Sequence, residues 1–220
     1  MKPRRTKKIN WSPQLAYVVG LITTDGNLST DGRHINLTSK DLQLLKTFKK
    51  CLGLNVKIGE KSGGFSDKKY YQVQFGDIIF YRWLLQIGLT PRKSKTISRL
   101  RIPDKYFFDF LRGHFDGDGT CYGYWDKRWH SSFMFYMKFC SASKNHIFWL
   151  RKKIKNLLSI SGDLNNTKGE TAIYQLKYAK RESRLLIPKI YYKKGLPHLK
   201  RKYKKLESIL KIDKKELAKK

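Results

Sequence analysis

Val18-Val19-Gly20-Leu21-Ile22-Thr23-Thr24-Asp25-Gly26 returns 93 residues later as Leu111-Arg112-Gly113-His114-Phe115-Asp116-Gly117-Asp118-Gly119. Each run is helical in pattern, carries Gly at its third place, and closes on an acid followed by Gly. One copy alone reads as a surface turn of the common Asp-Gly type. Two copies with their glycines in register read as an internal repeat, so two similar halves are expected. The carboxylates are the unusual part. A helix C-terminus carries partial negative charge and disfavours an Asp in its last turn by up to ~1 kcal/mol. If the two helices pack side by side, Asp25 and Asp118 arrive together at one end. A hard, oxygen-liking cation such as Mg²⁺ relieves their repulsion. Gly26 and Gly119 suit the left-handed position that ends such helices.

The charge balance points the same way. Lys and Arg outnumber acids 48 to 17, and the net charge is +31. Divided at residue 105, the halves carry +14 and +17, so the surplus is not confined to a tail. That is the footprint of a polyanion binder, with nucleic acid first and an anionic membrane second. With 40% hydrophobic and 14% aromatic residues the chain can build a core. Cys51, Cys121 and Cys140 form neither a CxxC pair nor a disulfide set. An intracellular, reducing compartment is expected, whether cytoplasm, nucleoid or organelle matrix. The apolar run Leu15–Ile22 after a basic start mimics a signal peptide but ends in Thr-Thr-Asp-Gly, without a cleavage pattern. No apolar run reaches the ~18 residues of a membrane span.

In order, residues 1–12 read as a basic arm. Ser12-Pro13 opens the first helix, Ser as N-cap and Pro in the first turn. Residues 27–32 are turn-rich, and His34–Ser39 alternates like a half-buried strand. Asp41 starts a helix with Leu42, Leu45, Phe48 and Leu52 on one face, and Gly53 ends it. Strands are expected at 56–58 and 71–75, around the glycine-rich turn at 62–64. Asp77 starts a helix carrying Ile78, Tyr81, Leu84 and Leu85, and Gly88 stops it. Residues 13–96 form the first half and 97–105 the linker, with Asp104 capping the second repeat helix.

Residues 106–205 repeat the order. Phe133–Cys140 and 173–178 read as strands, and Ser143 precedes a helix with Ile147, Leu150, Ile154 and Leu157. About 11 extra residues fall around 122–132. Glu182–Tyr191 is helical until Pro188 interrupts, and residues 206–220 form a Lys-rich tail with a short helix. Each half reads αββαββα, an α+β fold. Ser39-Lys40-Asp41 matches Ser143-Lys144-Asn145, and Pro91–Lys95 matches Lys200–Lys204.

Strands with polar residues on one face suit the major groove, where base edges carry a readable pattern of donors and acceptors. The candidates are Arg33, His34, Asn36, Thr38, Lys40, Gln72 and Gln74 in the first half. In the second they are Tyr136, Lys138, Lys144, Gln175 and Lys177. A carboxylate pair with basic neighbours suits metal-assisted phosphodiester hydrolysis. Lys40, Lys93, Lys144 and Lys202 recur in both halves and could screen charge on the transition state. Asp116–Thr120 resembles the start of an EF-hand, but Cys121 and Lys127 stand where Gly and Glu are needed. Walker A, HExxH and Gly-x-Ser-x-Gly patterns are absent.

At these residues the chain resembles the LAGLIDADG homing endonucleases of the monomeric, two-motif type. The second copy is a close match. The first departs at Thr23, where the family usually has Asp, and at Thr24, where a small residue is usual, but keeps Asp25. The Thr90-Pro91-Arg92-Lys93-Ser94 loop and Ile102-Pro103-Asp104 also look familial, and the resemblance covers about residues 13–205.

The resemblance implies motif helices packed at the domain interface through Gly20, Thr24, Gly113 and Gly117, and saddle-shaped antiparallel sheets. It implies a metal site at Asp25 and Asp118 with the adjoining Gly26 and Gly119, taking Mg²⁺, with Mn²⁺ or Ca²⁺ substituting for binding. It implies Lys93, and Lys202 as its pseudo-symmetric partner, as catalytic lysines. The expected function is a monomeric, site-specific endonuclease that cuts both strands of a long, asymmetric duplex site. The alternative on the same fold is a non-cleaving binder, an intron RNA maturase or a transcription regulator. A structural basic protein would explain the charge but not the paired acids. Without a Cys or Ser start and an Asn end, a free-standing or intron-encoded protein is expected rather than an intein.

Overall fold

The computed structural model describes residues 9–63, 66–129, 132–167 and 172–218. Residues 1–8 of the expected basic arm and Gly64 of the expected turn lie outside them. The first half runs α1 (Pro13–Thr24), β1 (Gly26–Leu28), β2 (His34–Ser39), α2 (Leu42–Leu52), β3 (Ile58–Gly63), β4 (Ser66–Gly76) and α3 (Ile78–Gln86). The second opens with a 3₁₀ turn, Asp104–Tyr106. It continues as α4 (Phe107–Asp118), β5 (Thr120–Trp125), β6 (Phe133–Ser141), α5 (Lys144–Leu158), β7 (Asp163–Asn166), β8 (Tyr174–Ala179), α6 (Lys180–Ile190) and α7 (Lys200–Leu217). The four-stranded antiparallel sheets share one topology, β1-β2-β4-β3 and β5-β6-β8-β7. The repeat in the sequence is a repeat in the fold.

Local chemistry sets most boundaries. Ser12 Oγ accepts from Leu15 N at 3.1 Å, with Pro13 in the first turn of α1. Asp77 caps α3 through Phe80 N, and Ser143 caps α5 through His146 N. Gly53, at φ +62°, ends α2 as a left-handed cap. Two expected caps do other work. The Asp41 carboxylate makes no cap bond and pairs with Arg201, and Asp104 pairs with Lys153.

Other expectations are corrected. Strands β1 and β5 occupy stretches that read as turn and insertion, and β7 one to which the sequence assigns no element, because edge strands have one partner. Ile78 and Leu85 are exposed, and Phe80, Tyr81 and Leu84 carry the buried face of α3. Pro188 lies inside α6 without ending it, one turn before the Tyr191 cap. No break occurs at residue 205, where the Lys-rich tail was expected to begin: α7 runs through it, with Lys202, Leu206, Ile209 and Asp213 on its buried face.

Helices α1 and α4 pack along each other and are buried on nearly every side from Leu15 to Thr23 and from Asp109 to Asp116. The crossing needs its glycines. A Cβ on Gly20 would sit 2.6 Å from His114 N, and one on Gly113 2.9 Å from the Tyr17 carbonyl carbon. Both obstacles are backbone, which cannot swing aside.

A fully buried helix that carries charge needs partners for it. Arg112 is 0% exposed. It pairs with Asp109 at 2.7 Å and donates to the carbonyls of Ile190 and Pro197 at 2.9 Å. Asp116 accepts from Tyr17 Oη and from Leu199 N, both at 2.7 Å. These bonds fasten the 190–199 connection and the start of α7 to α4. The segment expected as a linker is also packed, with Ile97, Leu100 and Ile102 buried. Ser143 Oγ donates to Ile97 O, and His146 Nδ1 lies 2.9 Å from Ser98 O.

Candidate active site and polar sheet faces

The parallel course of α1 and α4 brings their C-terminal ends together. Asp25 caps α1 and Asp118 is the last residue of α4. A Cβ on Gly117 would lie 2.9 Å from Asp25 Oδ2, so the Asp25 carboxylate passes over the residue before Asp118. Asp25 is half-buried, and Asp118 reaches solvent on one side while the protein crowds it on the other. Among the described residues neither carboxylate has a hydrogen bond or an ion pair. Burial, and then repulsion from Asp118, raises Asp25 to about 7, against the pull of Lys202 and Lys93. Asp118 is also raised, by partial burial, with the same lysines opposing. Lys93 and Lys202 are buried and pushed down to about 8 by that burial, while the acids hold them up.

The lysines are placed by pseudo-symmetry. Lys93 Nζ donates to Gly26 O, and Lys202 Nζ donates to Gly119 O at 2.6 Å. Each therefore neutralises the C-terminal end of one motif helix, where a cation is favoured. The halves differ in extent. Lys202 also reaches Phe115 O and Gly117 O, both at 2.7 Å, which uses all three of its protons. Among the described residues, Lys93 has Gly26 O alone.

Gly26 and Gly119 are not left-handed caps. Gly26 begins β1, and Gly119 is extended at φ −78°, ψ 160°. They are needed for space, since a Cβ on either would lie 2.6 Å from Cα of Ile22 or Phe115. Thr24 adjoins Gly117, and its hydroxyl donates to Leu21 O at 3.1 Å. The Thr23 hydroxyl likewise bonds back to Val19 O at 2.7 Å.

A cleft of about 200 Å³ opens beside Asp118, lined by Thr24, Ser94, Cys140 and Ser141 among others. Among the described residues no three His, Cys, Asp or Glu side chains are grouped to hold an ion. A cation at Asp25 and Asp118 would have to complete its shell with water or substrate oxygens. That fits Mg²⁺, which takes one or two carboxylates and keeps water or phosphate for the rest. The unpartnered, mutually repelling carboxylates fit such an ion.

Strand register decides which candidates share a face. Directly paired residues point to one side of a sheet. His34, Asn36 and Thr38 of β2 pair with Gly76, Gln74 and Gln72 of β4, opposite the buried Ile35, Leu37 and Val73. Arg33, one residue before β2, turns its guanidinium onto this face beside His34, with Nε 3.0 Å from where a Cβ on Gly76 would stand. Lys40 follows the strand, and its Nζ stands 5.0 Å over the Tyr70 ring. In the second sheet Tyr136, Lys138, Gln175 and Lys177 share the face opposite Phe135, Met137 and Leu176. Lys144 lies on α5, with Nζ 5.7 Å from the Phe148 ring, and not on that face. Register adds residues the sequence reading missed: Asn27 beside Asn36, Tyr122 beside Tyr136, Tyr124 beside Met134, and Asn165 beside Gln175. Only the edge strands β1, β5 and β7 reveal them.

Residues 12–98 match the family model of a LAGLIDADG-like domain. No curated protein matches the sequence. Solved structures match nearly the whole chain. The LAGLIDADG meganuclease I-AabMI bound to uncleaved DNA is similar at TM-score 0.64 and 14% identity, over 95% of this chain and 92% of that one. The LAGLIDADG homing endonuclease I-GzeII in complex with its DNA target is similar at TM-score 0.62 and 13% identity, over 96% and 92%. Full-length DUF199/WhiA from Thermatoga maritima is similar at TM-score 0.55 and 16% identity, over 94% of this chain and 63% of that longer one.

Proposed function

We propose that this chain, with its LAGLIDADG-like domain and the fold of the LAGLIDADG homing endonucleases, is a site-specific endonuclease that cuts both strands of duplex DNA with Mg²⁺. The observation that carries the reading is the pair Asp25 and Asp118. They are two unpartnered carboxylates at adjoining helix ends, in a molecule whose surface is otherwise strongly positive. Nothing in the fold alone requires such a pair, and burying it raises both acids. Support for DNA comes from the two polar sheet faces, the +31 charge and the DNA-bound state of similar structures.

In hydrolysis a water oxygen bonds to phosphorus, the bond to one sugar oxygen breaks, and that oxygen takes up a proton. Asp25 and Asp118 would hold the divalent cation, whereas Gly26 O and Gly119 O, expected beside it, accept from the ammonium groups of Lys93 and Lys202. When bound, the cation polarises the phosphate and lowers the pKa of water. The chain's own groups fix the geometry. Lys202 holds the last turn of α4, and Lys93 holds the end of α1. Lys93 keeps protons for a phosphate oxygen, where charge grows in the transition state. The basic sheet faces hold the duplex in register.

The Asp118→Asn chain is expected to lose cleavage of both strands by at least about a hundredfold while binding the same duplex. A library of duplexes incubated with Mg²⁺ or with a chelator, then sequenced at the ends produced, reads both. Metal-dependent ends at one long sequence support the reading, and undiminished cutting by Asp118→Asn would sink the metal assignment. Binding without cuts would move the chain to the non-cleaving binders of this fold, with RNA as the next ligand to try.

A further inference from the structure

The two sheets share a topology but not a surface chemistry. On the first, Asn27, Asn36 and Gln74 lie side by side on three adjacent strands, and Gln72 follows in the next row beside Thr38. Among the described residues none of these four amides has a hydrogen-bond partner. They stand on the face opposite the core, each offering an acceptor and a donor from one planar group. That paired pattern matches the N7 acceptor and N6 donor of adenine in the major groove. Guanine shows two acceptors there, and cytosine one donor, so an amide meets either with only half of its capacity.

The second sheet is already engaged with itself. Tyr122 and Tyr136 are cross-strand partners with rings 5.2 Å apart and 23° from parallel. Tyr124 stands 6.1 Å from Tyr136 at 13°, and its hydroxyl reaches that of Tyr136 at 3.5 Å. Lys177 Nζ lies 4.9 Å from the Tyr136 ring centre. Lys138 donates to Gln175 at 3.2 Å, which occupies an amide oxygen that could have met a base. Met134 pairs with Tyr124 on the same face. Tyr136 is engaged by both neighbouring rings and by a lysine, so it does not offer an open platform for an unpaired base. What remains is a stiff ridge of ring edges, a thioether and hydroxyls, with Tyr122 36% and Tyr124 44% exposed. Tyrosines give such area at small cost in side-chain entropy.

We infer that the halves read different base chemistry: free carboxamides of the first sheet read adenines, and the pre-built tyrosine ridge of the second reads thymine methyl groups. The inference rests on the DNA reading proposed above and deepens it. It makes the long site asymmetric in kind as well as in sequence. The amides can turn to meet a base edge, and the ridge cannot, so the second half selects by shape and apolar contact.

The test uses the full chain in Ca²⁺, with binding read separately from cutting. A duplex library is first selected for binding. In the selected site each adenine is then replaced by 7-deazaadenine, which lacks the N7 acceptor, and each thymine by uracil, which lacks the methyl. Deaza substitution is expected to weaken binding roughly tenfold or more at a cluster of positions in one half-site. That loss should vanish in a chain carrying Asn36→Ala and Gln74→Ala. Uracil is expected to weaken binding roughly fourfold per contacted methyl in the other half-site. This second loss should vanish with Tyr122→Ser and Tyr124→Ser, both at exposed positions. Equal effects in both half-sites, no effect of uracil anywhere, or losses that persist in the variants would overturn the inference. Selection of no preferred sequence would overturn site-specific recognition itself. A bound site that Mg²⁺ does not cut would overturn the nuclease reading alone, because the base contacts are measured by affinity.

Discussion

At the scale of single residues, the glycines show how a correct position can be read for the wrong reason. Gly26 and Gly119 stand where the repeat puts them, but neither is left-handed; each makes room for the preceding turn of its own helix. Gly20 and Gly113 were legible because a repeat that preserves them needs a close crossing, and the crossing is there. Lys202 was legible as a recurring lysine but not as a cap, because its three acceptors lie more than 80 residues away in sequence. Asp116 is hidden for the same reason: Thr23, its counterpart in the first motif, bonds only within its own helix, whereas Asp116 ties α4 to Tyr17 and to the start of α7. The Lys202 bonds make a measurable claim. In Lys202→Met, Gly117 O and Gly119 O lose their donor, and bare buried carbonyls cost about 1–3 kcal/mol each. A loss of about 2–4 kcal/mol is expected from a urea titration at neutral pH. Lys93→Met uncovers one carbonyl and should cost less. If the two variants unfold at the same urea concentration, the cap at α4 is not a structural one.

At the scale of elements, amphipathic helices and capped starts were readable and short edge strands were not. α2 and α5 have a periodic apolar face and a stop within one stretch of chain, and α5 has a Ser143 cap as well. β1, β5 and β7 owe their existence to a neighbouring strand that sequence alone does not supply. The contact between α4, α5 and the 97–103 connection was also hidden. His114 and His146 stack there at 5.3 Å and 18°, among Phe110, Phe139 and Trp149. Among the described residues neither His114 Nδ1 nor His146 Nε2 has a partner. Burial drives His146 down to about 4, with Lys93 adding to it, and drives His114 well below its ordinary value, with His146 adding to it. A group whose folded pKa is depressed favours the folded state fully above its unfolded pKa. Its contribution is lost as pH falls toward the folded value. Stability should therefore fall from about pH 6.5 toward pH 4, at up to about 1.4 kcal/mol per unit for each histidine that must charge. Asp116, raised to about 6 by burial, works in the opposite sense, since the folded state takes its proton first. The difference between the parent chain and His146→Phe isolates the histidine. Thermal unfolding of both between pH 7.5 and 4.5 is the measurement, and parallel curves would exclude His146 as a source of the slope.

At the scale of the whole molecule, the surplus of charge was the plainest signal in the sequence and the least specific. It is shared as +14 and +17 between the halves, so neither half is a neutral scaffold for the other. Charge says that a polyanion is held, and the polar sheet faces say where sequence could be read. These two contributions separate under salt. Each phosphate neutralised by a cation releases counterions, and log affinity falls with log salt at a slope near −0.9 per contact. A duplex held by six or more contacts should bind at least about a thousandfold more weakly at 200 mM salt than at 50 mM. Lys177 stands on the second sheet's outer face beside Lys138 without holding an amide, and Lys177→Gln should make the slope shallower by about one while leaving base preference unchanged. Asn36 is uncharged on the matching face of the first sheet, so Asn36→Ala should leave the slope and relax preference at one position. Fluorescence anisotropy of one labelled duplex and its single-base variants, titrated over that salt range, measures both. A flat salt response in the parent chain would remove the basic surface from the binding reading. A slope that shifts equally in both variants would show that charge and base readout do not reside in separate side chains.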